Sequence, residues 1–157
     1  MGGIGVKSGT GGSRSQDSAL IAGKPGEYTL YRAGEVERTG FVFLTTDKSV
    51  ADSYSQGGER AVGEYKVQIN NPLVIDGEGY DTVALRKAWL ALHPGTTIDD
   101  YKKEIVKGGG MTEAKWKKAD RQNAAALLKS PYDAVVYKNG DKVKEVWVHS
   151  SRRNSFR

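Results

Sequence analysis

Residues 133–149 read Asp133-Ala134-Val135-Val136-Tyr137-Lys138-Asn139-Gly140-Asp141-Lys142-Val143-Lys144-Glu145-Val146-Trp147-Val148-His149. Asn-Gly is a strong two-residue hairpin signal, because both residues accept the positive φ that such a turn requires. Closing strands 133–138 and 142–149 with Asn139-Gly140 sets Lys138 against Asp141, Val136 against Val143 and Ala134 against Glu145. Opposed residues point to one face. In that register Val146 and Val148 share one face, while Val143, Glu145, Trp147 and His149 share the other. Glu145 then sits on a largely apolar stripe, either desolvated or lining a cleft, with small Ala134 leaving space in front of it. The plainer alternative is an edge-strand glutamate that blunts aggregation.

Upstream of the hairpin the pattern is helical. Asp81 or Thr82 starts a helix in which Leu85, Ala88, Trp89 and Leu92 fall at i, i+3, i+4 and i+7, and His93-Pro94-Gly95 stops it. Thr97 with Asp99 and Asp100 opens a second helix, ended by Gly108-Gly109-Gly110. Thr112 caps a third, running to Lys129, on which Trp116, Ala119, Asn123 and Leu127 form a core face. Before this insert come strands: Tyr28-Thr29-Leu30-Tyr31-Arg32, then Phe41-Val42-Phe43-Leu44, residues 61–69, and Leu73-Val74-Ile75 after an Asn70-Asn71-Pro72 turn. Either Thr45 or Thr46 can cap a short helix over 47–54, which Gln56-Gly57-Gly58 breaks. Strands, a helical insert, then strands is an α+β order, not a doubly wound one.

The chain has 157 residues, 38% of them hydrophobic, which suits one domain with a lean core. No apolar run is long enough to cross a membrane as a helix, and the Met1-Gly2-Gly3 start lacks the apolar region of a secretory signal. A cytoplasmic monomer is expected, in the producing or a targeted cell. Without cysteine there are no disulfides and no thiol nucleophiles, and two histidines make a protein-built metal site improbable. The net charge of +5 invites a nucleic-acid reading, but residues 27–149 hold 18 basic and 18 acidic residues. The excess lies at the ends: Lys7, Arg14 and Lys24 against Asp17, and Arg152, Arg153 and Arg157 against no acid. Residues 1–26, with eight glycines and four serines, are expected to be a flexible tail, and residues 151–157 a short basic one.

Several segments taken together resemble the ADP-ribosyltransferase superfamily. They are Tyr31-Arg32-Ala33-Gly34, then Gly40-Phe41-Val42-Phe43-Leu44-Thr45-Thr46-Asp47-Lys48-Ser49-Val50-Ala51-Asp52-Ser53-Tyr54, then Tyr65-Lys66-Val67-Gln68-Ile69-Asn70-Asn71-Pro72-Leu73-Val74-Ile75-Asp76, then Tyr132-Asp133-Ala134-Val135-Val136 with Glu145-Val146-Trp147-Val148. The likeness is to small bacterial and phage branches, found in toxins, effectors and polyvalent phage proteins, and covers about residues 27–150. It implies split antiparallel β-sheets with a helical insert, and NAD as co-substrate for mono-ADP-ribosylation of a macromolecular acceptor, with no metal.

The resemblance also implies the site. Arg32 falls on the first position of the family's arginine branch, Thr45 on its serine (with Thr46 able to serve instead), and Glu145 on its catalytic glutamate. Ala33, Gly34 and Thr46 lie beside these positions and join the NAD-binding set. Tyr54 falls where some members stack an aromatic ring on nicotinamide. The residue types suit the chemistry: a carboxylate stabilises the cationic ribose formed as the nicotinamide bond breaks, and a guanidinium fork suits a diphosphate. Val143 replaces the Glu or Gln that arginine-modifying branches carry, so arginine is not the expected target. Val42 and Thr45 depart from the family's patterns. They keep open a non-enzymatic nucleic-acid- or virion-associated binding protein, or an inactive member of the fold. Taken alone, Arg32 reads more simply as a solvated arginine paired with Glu35 or Glu37 than as a ligand-binding one. Lys115, Lys117, Lys118 and Arg121 form a basic surface for that alternative, with a solvated face as the default.

Overall fold

The five valines of the C-terminal strands and the alternating residues of 41–44 divide between the two faces of one sheet, and that sheet organises the molecule. The computed structural model describes residues 8–55 and 60–157, with side chains from residue 15 onward. The elements are α1 (Ser8–Ile21), β1 (Gly26–Ala33), β2 (Phe41–Leu44), α2 (Lys48–Ser53), β3 (Val62–Ile69), β4 (Pro72–Asp76), α3 (Asp81–Leu92), α4 (Ile98–Tyr101) continuing into a π turn (Lys102–Val106), α5 (Glu113–Lys129), β5 (Ala134–Asn139), β6 (Lys142–His149) and a 3₁₀ helix (Ser150–Ser155).

The architecture is α+β with two sheets. β1 and β3 form an antiparallel pair, and the other four strands form a sheet in the order β2-β6-β5-β4. The larger sheet is not wholly antiparallel as expected: β4 and β5 run parallel, Pro72 beside Ala134 through Asp76 beside Lys138. A parallel pair needs a long crossover connection, and the helical insert α3–α5 supplies it. The large sheet lies between two apolar layers. On one face Val42, Leu44, Val136, Val146 and Val148 pack against Leu30, Val67 and Ile69 of the small sheet and Leu20 of α1. On the other face Phe41, Leu73, Ile75, Val135 and Trp147 meet Ala84 and Ala88 of α3 and Ala124 and Leu127 of α5.

The hairpin register differs from the expected one. The loop is Gly140-Asp141 and not Asn139-Gly140, with only Gly140 of the expected pair at positive φ. Asn139 pairs with Lys142 and Lys138 with Val143, after which a bulge shifts the ladder so that Tyr137 faces Glu145 and Val136 faces Val146. An inserted residue on one strand reverses the alternation beyond it. Val143 therefore joins Val146 and Val148 in the first core, and Glu145 stands with Trp147 on the helix-facing side, opposite Tyr137 instead of Ala134.

Neither end is the free tail that composition suggests. Residues 1–7 of the expected 1–26 tail lie outside the described residues, but 8–21 form α1, and fully buried Leu20 ties it to the core. Asp17 accepts hydrogen bonds from Thr46 Oγ1 at 2.6 Å and from the Val143 backbone N–H at 3.1 Å. Polar anchors outweigh the low apolar content there. At the other end Arg152 donates to the Asp133 and Gln68 carbonyls, and Arg157 pairs with Glu27. The Phe156 ring packs against Tyr65 at 5.7 Å between centroids. The expected break at Gln56-Gly57-Gly58 lies outside the described residues.

Candidate functional site

β2 runs beside β6 with Phe41 opposite His149 and Leu44 opposite Val146. One more step of that register would put Thr45 against Glu145. Instead Thr45 exchanges both backbone hydrogen bonds with Tyr31 of β1, at 2.8 and 2.9 Å. The chain thus changes sheets at Thr45, and the two sheets part beside Glu145. A cleft of about 290 Å³ opens there, and its walls include Arg32, Ala33, Thr45, Tyr54, Arg60 and Glu145.

Each wall residue is held for an identifiable reason. Arg32, at the end of β1, donates from Nε to the Glu35 carbonyl at 2.9 Å and from Nη1 to the Phe43 carbonyl at 3.1 Å. Its Nη2 pairs with the Glu37 carboxylate. Burial pushes the Glu37 carboxyl up while the Arg32 charge pulls it back, and Glu37 Oε1 is buried without a hydrogen-bond partner. Glu37 belongs to a loop bounded by Gly34 (φ 84°) and Gly40 (φ 72°), where the backbone favours glycine. The Thr45 hydroxyl accepts from the Asp47 N–H at 3.2 Å, leaving its proton for a ligand. Asp47, and neither threonine, caps α2, accepting from Ser49 N at 2.9 Å. Tyr54 closes that helix and is 61% exposed at the cleft, so it is not a core ring.

Glu145 accepts from the Trp147 indole N–H at 3.0 Å. Burial pushes its carboxyl up, the indole bond pulls it partly back, and the Asp81 charge adds to the rise. Asp81, at the start of α3, is itself satisfied by Tyr137 Oη and Lys144 Nζ, each at 2.6 Å. Glu145 and Phe43 also border a second cleft, of about 340 Å³, on the helix-facing side of the sheet, walled by Trp116, Asp120, Tyr137 and Trp147. A larger groove of about 820 Å³ between the end of α3 and α5 brings no carboxylate to its walls.

Of the residues expected at the site, Arg32, Ala33, Thr45, Tyr54 and Glu145 line one cleft. Two do not. Thr46 is 2% exposed and bonds to Asp17, because the next residue along an extended chain points the opposite way from Thr45. Gly34 gives its N–H to the Ala61 carbonyl and stands outside the cleft wall. Sequence reasoning missed Arg60 and Lys144, which also line the cleft, and Asp120. Asp120 carried a signal: it lies four residues after Trp116 on the apolar stripe of α5, where a carboxylate is out of place. The basic surface of α5 is largely spent internally. Lys115 reaches the Gly108 and Gly110 carbonyls, Lys117 pairs with Glu113, and Lys118 pairs with Glu104.

No helix among the described residues is long and apolar enough to cross a membrane. No family model and no curated protein matches the chain. Among solved structures, an anti-CRISPR protein is similar over 78% of this chain and 89% of its own, at 14% identity and a TM-score of 0.40. A likeness at that level fixes neither fold family nor function.

Proposed function

We propose that the chain is an NAD-dependent mono-ADP-ribosyltransferase of toxin, effector or phage type, acting on a macromolecular acceptor. One observation carries the reading: Arg32, Thr45, Tyr54 and Glu145, from four separate segments, line a single cleft where the two sheets part. Its volume is at the small end of small-molecule sites, and its walls combine apolar surface with a few convergent polar groups, as such sites do.

The donor set suits a dinucleotide. Arg32 and Arg60 place two guanidiniums at one cleft, and planar forks match diphosphate oxygens. The Arg60 side chain makes no hydrogen bond or ion pair among the described residues, so its donors are available. Tyr54 offers an exposed aromatic face for a flat ring, and the Thr45 proton can reach a ligand oxygen. NAD, when bound, supplies a glycosidic bond whose leaving group is neutral nicotinamide. Ionised Glu145 stabilises the positive charge that develops on the ribose, more strongly because the site is desolvated. Its indole bond from Trp147 fixes the carboxylate's orientation before the substrate arrives. Because burial raises the Glu145 carboxyl, activity should climb with pH until that group is ionised.

A member of the same fold that binds without turnover is the second reading, favoured by the hold of Glu37 on the Arg32 fork. Incubation with labelled NAD and a bacterial lysate separates the two. Transfer of label to protein or nucleic acid is the expected result, and bound NAD returned intact would leave the second reading standing.

A further inference from the structure

The second cleft shares Glu145 with the first and holds a carboxylate without a protein partner among the described residues. Asp120 projects from α5 into it, part-buried, with no hydrogen bond or ion pair among the described residues. Its neighbour Asp81 accepts from Tyr137 and Lys144 on Oδ1, and Glu145 accepts from Trp147 on Oε1. Aromatic rings wall the rest: Phe43 meets Trp147 edge-on at 5.8 Å, and Tyr137 meets Trp147 at 6.2 Å. A cleft with three carboxylates and aromatic faces disfavours a phosphate chain and suits a neutral or cationic group.

We propose that the acceptor enters through this second cleft and that Asp120 is the base that takes the proton from its nucleophile. This rests on the transferase reading of Glu145. Displacement at the ribose carbon needs a nucleophile approaching beside the stabilising carboxylate from a direction the departing nicotinamide does not occupy. Two clefts meeting at Glu145 provide separate routes. In the step, an O–H or N–H nucleophile of the acceptor forms a bond to the ribose C1′, and the C1′–N bond breaks with its electron pair leaving on nicotinamide. The nucleophile's proton passes to an Asp120 carboxylate oxygen. Burial and the Glu145 charge hold the Asp120 carboxyl up at about 7, so near neutral pH it can both accept and release that proton.

The test uses the full chain with NAD, water as acceptor, and azide as a nucleophile that carries no proton. Asp120→Asn should bind NAD within twofold of wild type yet release nicotinamide about 100-fold more slowly, the usual scale for losing a general base. Sodium azide should restore its turnover and yield ADP-ribosyl azide by mass spectrometry, while Glu145→Gln should not be rescued. Asp120→Ala should behave as Asp120→Asn does. Turnover by Asp120→Asn equal to wild type, or a loss that azide does not restore, overturns the assignment of Asp120 alone. Failure of the wild-type protein to consume NAD overturns the transferase reading and this inference with it.

Discussion

Replacing Asp120 by Asn should stabilise the protein at alkaline pH and leave it unchanged in acid. Burial and the Glu145 charge carry the Asp120 carboxyl from 3.8 to about 7. Each tenfold change in proton affinity is worth about 1.4 kcal/mol, so the ceiling on the cost of ionised Asp120 is ~4 kcal/mol. The side chain is part-exposed, and solvent screening brings the expected cost to about 1–2 kcal/mol. The sign follows from linkage: the folded state binds this proton more tightly than the unfolded one, so stability falls as pH rises from near 4 through 7 and is flat above. Asn is nearly isosteric and never ionises. The melting temperature of Asp120→Asn should exceed wild type by about 2–8 °C at pH 8, given ~2–4 °C per kcal/mol at this chain length. The gap should shrink below pH 7 and close near pH 4. Calorimetry at pH 4, 6 and 8 reads this directly. Equal melting temperatures at pH 8, or a gap that does not vary with pH, would refute the claim that Asp120 is a desolvated carboxyl beside Glu145.

Three further outcomes are expected. Asp17→Ala strips partners from the buried Thr46 hydroxyl and the Val143 N–H, and should cost about 2–4 kcal/mol in urea denaturation, whereas a free tail would give no change. Gly77→Ala would place a Cβ 2.3 Å from Tyr137 Cε1, so the ring must shift; a lower melting temperature is expected, with Gly110→Ala, which meets no atom within 4 Å, as a control. Glu37→Ala frees Nη2 of Arg32, whose Nε and Nη1 stay on the Glu35 and Phe43 carbonyls, and should tighten ADP-ribose binding several-fold by isothermal titration, whereas weaker binding would show that Glu37 orients Arg32 for the ligand.

Local chemistry made much of the fold readable. The periodicity of 85–92 and the caps at Thr97 and Thr112 located three helices, and Asn139-Gly140 located the hairpin. The register was not readable, because the loop falls one residue later than Asn139-Gly140 and a bulge leaves no composition signal; together they moved Val143 into the core and turned Glu145 toward Tyr137. The parallel pairing of β4 with β5 is a long-range choice made by how α3 and α5 pack. The N-terminal helix was hidden because glycine-rich composition argues for flexibility, while its anchors, Asp17 with Thr46 and Val143, are distant in sequence. Within the site, order along the strands brought Arg32, Thr45 and Glu145 to one place. Thr46 could not be told from Thr45 until the strand's facing was known, and Arg60 and Asp120 reach the two clefts from segments without a strand motif.

Nicotinamide release from NAD, followed by chromatography for the full-length wild type beside Glu145→Gln at pH 7.5, bears on the cleft's chemistry with the fewest assumptions. Glu145 is the carboxylate at the point where the sheets part, and Gln keeps its shape while removing its charge. The wild type should release nicotinamide steadily, and the variant should bind NAD with similar affinity but release it at least 100-fold more slowly. Equal rates from both proteins, or no binding and no release by the wild type, would contradict the account.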